Sequence, residues 1–137
     1  MKVKRKGRCM NIFGILVPKQ MITYLYADDS LDMAVKKLIE SGFTAVPVLD
    51  KAGVYVGVVS KGDFLNMVME CGRDKLGEHT VSEILSQDKE AFIINTVSKE
   101  EIMEKILDRN FLSIVDDRKC FVGIITRKSI IKYLSNS

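Results

Sequence analysis

The stretch from Gly42 to Val68, GFTAVPVLDKAGVYVGVVSKGDFLNMV, recurs in outline between Asn110 and Leu134 as NFLSIVDDRKCFVGIITRKSIIKYL. A repeat of this size constrains the fold more than any bulk property, because each copy is a unit that buries its apolar face only against another. Each copy reads as an extended apolar run, a polar turn, a second apolar run with an internal glycine, and a hydroxyl residue opening a helix. Gly57 matches Gly123 and Ser60 matches Thr126. Starting the copies at Gly42 and Asn110, with Phe43 against Phe111, makes the second hairpin turn two residues shorter.

The segments before each copy repeat as well. Asn11 is placed to cap a short apolar turn, Ile12 to Leu16, ending before Pro18. Met21 to Tyr26 is rich in β-branched and aromatic residues and reads as a strand, with turn and cap chemistry following at Ala27-Asp28-Asp29-Ser30. Leu31, Ala34, Val35, Leu38 and Ile39 form a helical stripe that stops at Gly42. Thr44 to Leu49 and Val54 to Val59 are the hairpin strands. After them Phe64, Leu65, Met67 and Val68 are expected to face inward, with Met67 and Met69 as core filler. Residues 72 to 79, GRDKLGEH, read as a linker. The series then restarts with the capping-box pattern Thr80 to Glu83, a strand at Ala91 to Ile94, and a second capping box, Ser98 to Glu101, before Ile102, Met103, Ile106 and Leu107. These readings divide the chain into an arm at 1–10, a repeat at 11–71, the linker at 72–79 and a repeat at 80–137. Each repeat combines a helical crossover with a hairpin, so the fold class is α+β with two small mixed sheets.

Composition closes off several functions. A chain of 137 residues that is 47% apolar and 28% charged, with two prolines, is globular rather than disordered. No apolar run approaches a membrane span, and NIFGILVPKQ behind the basic start is too broken for a signal peptide. The net charge of +3 is concentrated in Lys2, Lys4, Arg5, Lys6 and Arg8, which leaves a mildly acidic body, so nucleic-acid binding is disfavoured. Cys9, Cys71 and Cys120 form neither a C-x-x-C pair nor an even set, and His79 stands alone. Neither a disulfide framework nor a metal site is expected, and a reducing cytoplasm fits.

The chemistry is expected where the second strand of each hairpin meets its helix, at Ser60-Lys61-Gly62-Asp63 and Thr126-Arg127-Lys128-Ser129. The first N–H groups of a helix lack partners within it and sit at its positive end, so these turns suit phosphate. Capping is the competing use, since Ser60 with Asp63 resembles a capping box and Thr126 would cap equally well. Asp63 offers two carboxylate oxygens to ribose hydroxyls, and Arg127 offers a planar fork to a phosphodiester.

This order of elements, together with GFTAVPVLD and the closing GVVSKGD, resembles the tandem CBS-domain module, or Bateman module, from about Asn11 to Leu134. The resemblance implies two β-α-β-β-α repeats packed about a pseudo-twofold axis, with two clefts for adenosine-containing ligands. FLSIVDDRKCFVGIITRKSIIKYL is similar to the second repeat of stand-alone CBS pairs that bind cyclic di-AMP in Gram-positive bacteria. Carried onto this chain, the likeness assigns Thr23, Thr44, Ala45, Thr126, Arg127 and Lys128 to one cleft. Ser60, Lys61, Asp63, Ile94 and Ser113 fall in the other. Ser129 replaces the aspartate that would hold a ribose in the first of these, while Asp63 keeps it in the second.

The resulting expectation is a non-catalytic, cytoplasmic sensor that binds cyclic di-AMP, forms a homodimer and signals to an unidentified protein partner, without a prosthetic group. AMP, ADP or ATP is the alternative ligand. A ligand-free dimerisation or interaction protein is the alternative function. An enzyme ranks below both, since the chain has no nucleophile elbow, no G-x-x-x-x-G-K-[ST] and no G-x-G-x-x-G.

Overall fold

The computed structural model describes residues 11–136. The basic arm at 1–10, including Cys9, lies outside them. The chain runs α1 (Ile12–Ile15), β1 (Leu16–Pro18), a 3-10 turn (Lys19–Met21), β2 (Leu25–Tyr26), α2 (Leu31–Ser41), β3 (Ala45–Leu49), β4 (Tyr55–Ser60) and α3 (Lys61–Cys71). Two 3-10 turns, Arg73–Glu78 and Val81–Ile84, lead to β5 (Ala91–Ile93), α4 (Lys99–Lys105), a 3-10 turn (Ile106–Asp108), β6 (Leu112–Val115), β7 (Phe121–Ile125) and α5 (Arg127–Ser135).

Two mixed sheets result, with orders β2-β3-β4 and β1-β7-β6-β5. In each, a short strand pairs in parallel with the next one, across a helical crossover, and that strand turns back as an antiparallel hairpin. Leu25 lies opposite Val48 as Phe92 lies opposite Ile114. The opening segments cross over. β1 pairs antiparallel with β7 and Ile15 is buried in the second repeat's core. Val81 is buried in the first repeat's core, where Ser86 N–H also donates to the Val58 carbonyl at 2.8 Å. A third apolar cluster of Leu49, Phe121 and Ile124 joins the two, ringed by Tyr24, Tyr26, Tyr55 and Phe111.

The hairpins are equal in length, which corrects the shorter second turn expected from matching Phe43 with Phe111. Asp50 accepts from the N–H groups of Ala52 and Val54, and Asp116 accepts from those of Arg118 and Cys120. Gly53 and Lys119 both have positive φ, 88° and 68°. Gly57 faces Val48 as Gly123 faces Ile114, with a bulge one residue further on in both. A constant offset of 66 therefore relates the hairpins, pairing Thr44 with Asn110, Ala45 with Phe111, Pro47 with Ser113 and Ser60 with Thr126. The hairpins also touch symmetrically, Tyr55 N–H donating to Lys119 and Phe121 N–H to Gly53. Gly123 allows the close approach of β1, since a Cβ there would strike the Val17 carbonyl oxygen.

Other expectations shift locally. The strand expected over Met21 to Tyr26 is reduced to its last two residues, because the chain before it turns as a 3-10 element and runs beside the sheet. The 72–79 stretch is mostly a 3-10 turn with Leu76 buried. Ser98 accepts from Glu101 N–H, the forward half of a capping box. Ile39, Leu65, Met69 and Leu107 face outward despite their helical spacing, Met69 at 78% exposure, because each helix covers its sheet with one narrow stripe.

Candidate functional site

Two of the clefts between the repeats share a wall built from Ala45 and Phe111. These residues are partners under the 66-residue relation, so the wall is made by the same position of both hairpins. The first cleft has a volume near 450 Å³ and is lined by Thr23, Thr44 and Ala45 from the first repeat and by Thr126 and Lys128 from the second. Phe43, Pro47, Phe111 and Ile124 make it largely apolar, and among the described residues no carboxylate lines it. Its size and few polar groups fit the pattern of small-molecule sites. Thr23 reaches it because the chain there is held outside the sheet. Thr44 ends the crossover before β3. Lys128 stands on the first turn of α5, where Thr126 accepts from Ser129 N–H at 2.9 Å and Ser129 Oγ accepts from Thr126 N–H at 3.0 Å. That hydroxyl cap carries no charge, so the positive end of α5 is not neutralised by its own cap.

Of the six residues expected here, Arg127 is the one that does not line the cleft. Its Nη1 donates to the carbonyls of Ile106 at 2.9 Å and Arg109 at 2.6 Å, tying α5 to the turn before β6. Among the lining residues, sequence reasoning missed Asn110 and the aromatic pair Phe43 and Phe111, which read as ordinary strand residues. The positional match of the two hairpins, which pairs Asn110 with Thr44 and Phe111 with Ala45, was the signal that could have found those two, and Phe43 had none.

The second cleft is smaller, near 240 Å³, and differently charged. Ser60, Ser86, Asp88, Asp108, Arg109 and Asn110 line it beside Ala45, Val58 and Phe111. Of the residues expected there, only Ser60 is on its surface. Asp63 Oδ2 accepts from Ser60 N–H at 2.8 Å, Ser60 Oγ at 2.9 Å and Ser86 Oγ at 2.6 Å, so that oxygen is consumed by a capping box and a link to the other repeat's opening segment. Asp63 faces a separate shallow hollow with Asn66 and Glu70. Lys61 N–H donates to the Thr44 carbonyl, and its side chain does not line the cleft. Ser113 is buried at 3% exposure within β6, and Ile94 N–H donates to Val115 at the end of β5.

Arg109 dominates the second cleft. Its Nε donates to Asp88 at 2.8 Å and its Nη2 to Glu90 at 2.7 Å, while its guanidinium carbon lies 6.0 Å from the Phe92 ring. Burial pushes the Asp88 carboxyl up, but the Glu90 amide and the Arg109 guanidinium outweigh it and hold Asp88 below the usual carboxylate range. Elsewhere, His79 lies 2.8 Å from Glu83 and lowers that carboxyl. Among the described residues no group of three His, Cys, Asp or Glu side chains is placed to hold a metal, and no helix is long and apolar enough to cross a membrane.

Comparison with known proteins agrees with this architecture. The chain is 25% identical over 126 residues to cyclic di-AMP receptor B of Bacillus subtilis, covering 88% of this chain and 83% of that protein. A crystal structure of CbpB in complex with c-di-AMP matches with a TM-score of 0.88 at 26% identity, covering 98% of this chain and 91% of that one. CbpB from Streptococcus agalactiae matches with a TM-score of 0.81 at 28% identity, over 89% and 78% of the two chains. The CBS domain model matches twice, at residues 17–70 and 81–136. With two such repeats spanning most of its length and sharing two clefts, the chain belongs to the CBS domain family.

Proposed function

We propose that this chain is a non-catalytic regulatory module of the cytoplasm that binds an adenine nucleotide, with cyclic di-AMP the best candidate, and passes its occupancy to a protein partner. The observation that carries this reading is the first cleft, where Thr23, Thr44 and Ala45 meet Thr126 and Lys128 across the repeats in a cavity that no carboxylate of the described residues lines. Strand backbone and the small side chains of Thr44 and Ala45 suit a flat base between apolar walls. Lys128 and the α5 N-terminus supply positive potential for a phosphodiester. The similarity to proteins named for cyclic di-AMP supports that ligand over AMP, ADP or ATP. Arg127 takes part indirectly, by fixing the turn that carries Asn110 at the cleft.

Exposed apolar residues support a homodimer. Leu65 and Ile131 occupy matching positions of α3 and α5 and are both about three-fifths exposed, with Met69 beside Leu65. Burying such a face against a second copy is how apolar surface of this kind is usually accounted for. Sedimentation should show a dimer in wild type and a shift to monomer in Leu65→Glu with Ile131→Glu.

Calorimetric titration with cyclic di-AMP, AMP, ADP and ATP tests the ligand. Binding of cyclic di-AMP tighter than the mononucleotides supports the reading. Absence of heat with all four, from a folded protein, contradicts it and leaves the interaction-protein alternative.

A further inference from the structure

We propose that the second cleft is closed to anionic nucleotides by its own side chains, with Arg109, Asp88 and Glu90 as an internal plug, so that each chain takes one nucleotide. This rests on the reading above for what the first cleft binds.

The repeat symmetry allows the clefts to be compared position by position. Phe43 of the first cleft corresponds to Arg109 of the second by the hairpin offset. Leu25 and Phe92 occupy the same place opposite Val48 and Ile114, so Thr23 corresponds to Glu90 and Met21 to Asp88. A neutral wall on one side is therefore an ion-paired cluster on the other. Arg109 lines the cleft and is ion-paired to Asp88, which lines it too, at 2.8 Å and to Glu90 at 2.7 Å, and Lys105 approaches Glu90 at 3.7 Å. Arg127 restrains the carbonyl of Arg109 from behind.

An entering phosphate would meet the carboxylates of Asp88 and Asp108, which line the cleft. Arg109, the one guanidinium among the described residues that lines the cleft, is already engaged through Nε and Nη2. To reach it, the ligand must displace charge-assisted bonds and leave two carboxylates facing its own charge. Ribose fares no better, because Asp63 is turned to Ser60 and Ser86. Arg109 Nη1 is buried and has no protein partner among the described residues. Releasing the carboxylates would thus turn the plug into an anion-binding group.

The test is the number of sites by calorimetry with cyclic di-AMP and with AMP, on wild type, Lys128→Glu, and the double variant Asp88→Asn with Glu90→Gln, each checked for folding by circular dichroism. Wild type is expected to bind one molecule per chain and the double variant two. Lys128→Glu should abolish the wild-type site. Should the double variant fail to fold, Asp88→Met, Glu90→Thr and Arg109→Phe combined with Gly62→Lys, the counterpart of Lys128, copy the first cleft's wall and cation and are expected to give two sites.

Two sites in wild type would overturn the proposal, as would a single wild-type site that survives Lys128→Glu. A folded opened variant that keeps one site would also overturn it. If wild type binds no nucleotide, the functional reading fails separately. The plug then stands if the opened variant gains a site and falls if it does not.

Discussion

Ser60-Lys61-Gly62-Asp63 and Thr126-Arg127-Lys128-Ser129 hold the same place in the two repeats, and both close a capping box, yet they do different work. In the first turn the carboxylate of Asp63 satisfies Ser60 and reaches across to Ser86, which neutralises the helix end and ties the repeats together. In the second the cap is the hydroxyl of Ser129, turned back on Thr126. The helix end there stays positive, and Lys128 adds to it on the wall of a cleft that no carboxylate of the described residues lines. Two turns with one backbone geometry thus give one structural bolt and one candidate phosphate site. The side chain at the third helical position separates them, and so does what faces it from the other repeat.

Substitutions at matched positions can break this comparison. The largest effect is expected at the axis, where Phe121 is buried and its partner Tyr55 stacks against it with ring centroids 6.1 Å apart. Phe121→Ala should lower stability by ~3–5 kcal/mol in denaturant unfolding, the usual scale for a buried ring. Tyr55→Phe should be neutral within ~1 kcal/mol, because the phenol oxygen is buried without a hydrogen-bond partner among the described residues and its loss strands no other group.

A smaller contrast is expected between Arg127 and its counterpart Lys61. Arg127→Ala strips two carbonyls of their donor and should cost ~1–2 kcal/mol, whereas Lys61→Ala should stay within ~0.5 kcal/mol. Equal losses would remove the structural role given to Arg127. The caps should differ less. Asp63→Ala leaves two Ser60 groups and Ser86 without an acceptor and should cost ~1–2 kcal/mol, against ~0.5–1 kcal/mol for Ser129→Ala.

The smallest effect concerns pH. The folded protein holds Asp88 below its unfolded value, so its contribution is present above about pH 4. That contribution is lost as pH falls through the lower folded pKa. Asp88→Asn should therefore show a slightly shallower fall in melting temperature between pH 5 and pH 3 than wild type. An unchanged slope would mean that the Arg109 pair contributes nothing.

How much of this was legible in the chain varies by element. The repeat, the helices from Leu31 and Lys61, and both caps followed from periodicity and hydroxyl placement, because these signals are local. The hairpin register did not. Phe43 and Phe111 look alike, but the hydrogen bonds of Asp50 and Asp116 and the positive φ of Gly53 and Lys119 set a different match, and a lysine gives no warning of that conformation. The strand expected from Met21 failed because β-branched and aromatic residues also suit a segment lying along a cleft. Nor could local pattern show that β1 would join the far sheet. Five of the six residues expected in the first cleft line one cavity, since the likeness concerned backbone positions. Arg127 departed because its long side chain had carbonyl partners nearby that no sequence motif displays.

The claim that the first cleft is built across the repeats is tested most directly by a double-mutant titration with cyclic di-AMP. Thr44→Val removes a hydroxyl with little change of shape, and Lys128→Ala removes a cation from the opposite wall. Each is expected to weaken binding by ~1–2 kcal/mol in a protein of unchanged melting temperature. The double variant should lose less than the sum, because both residues meet one ligand. Strict additivity would place them in separate sites, and wild-type affinity in both single variants would contradict the assignment of this cleft.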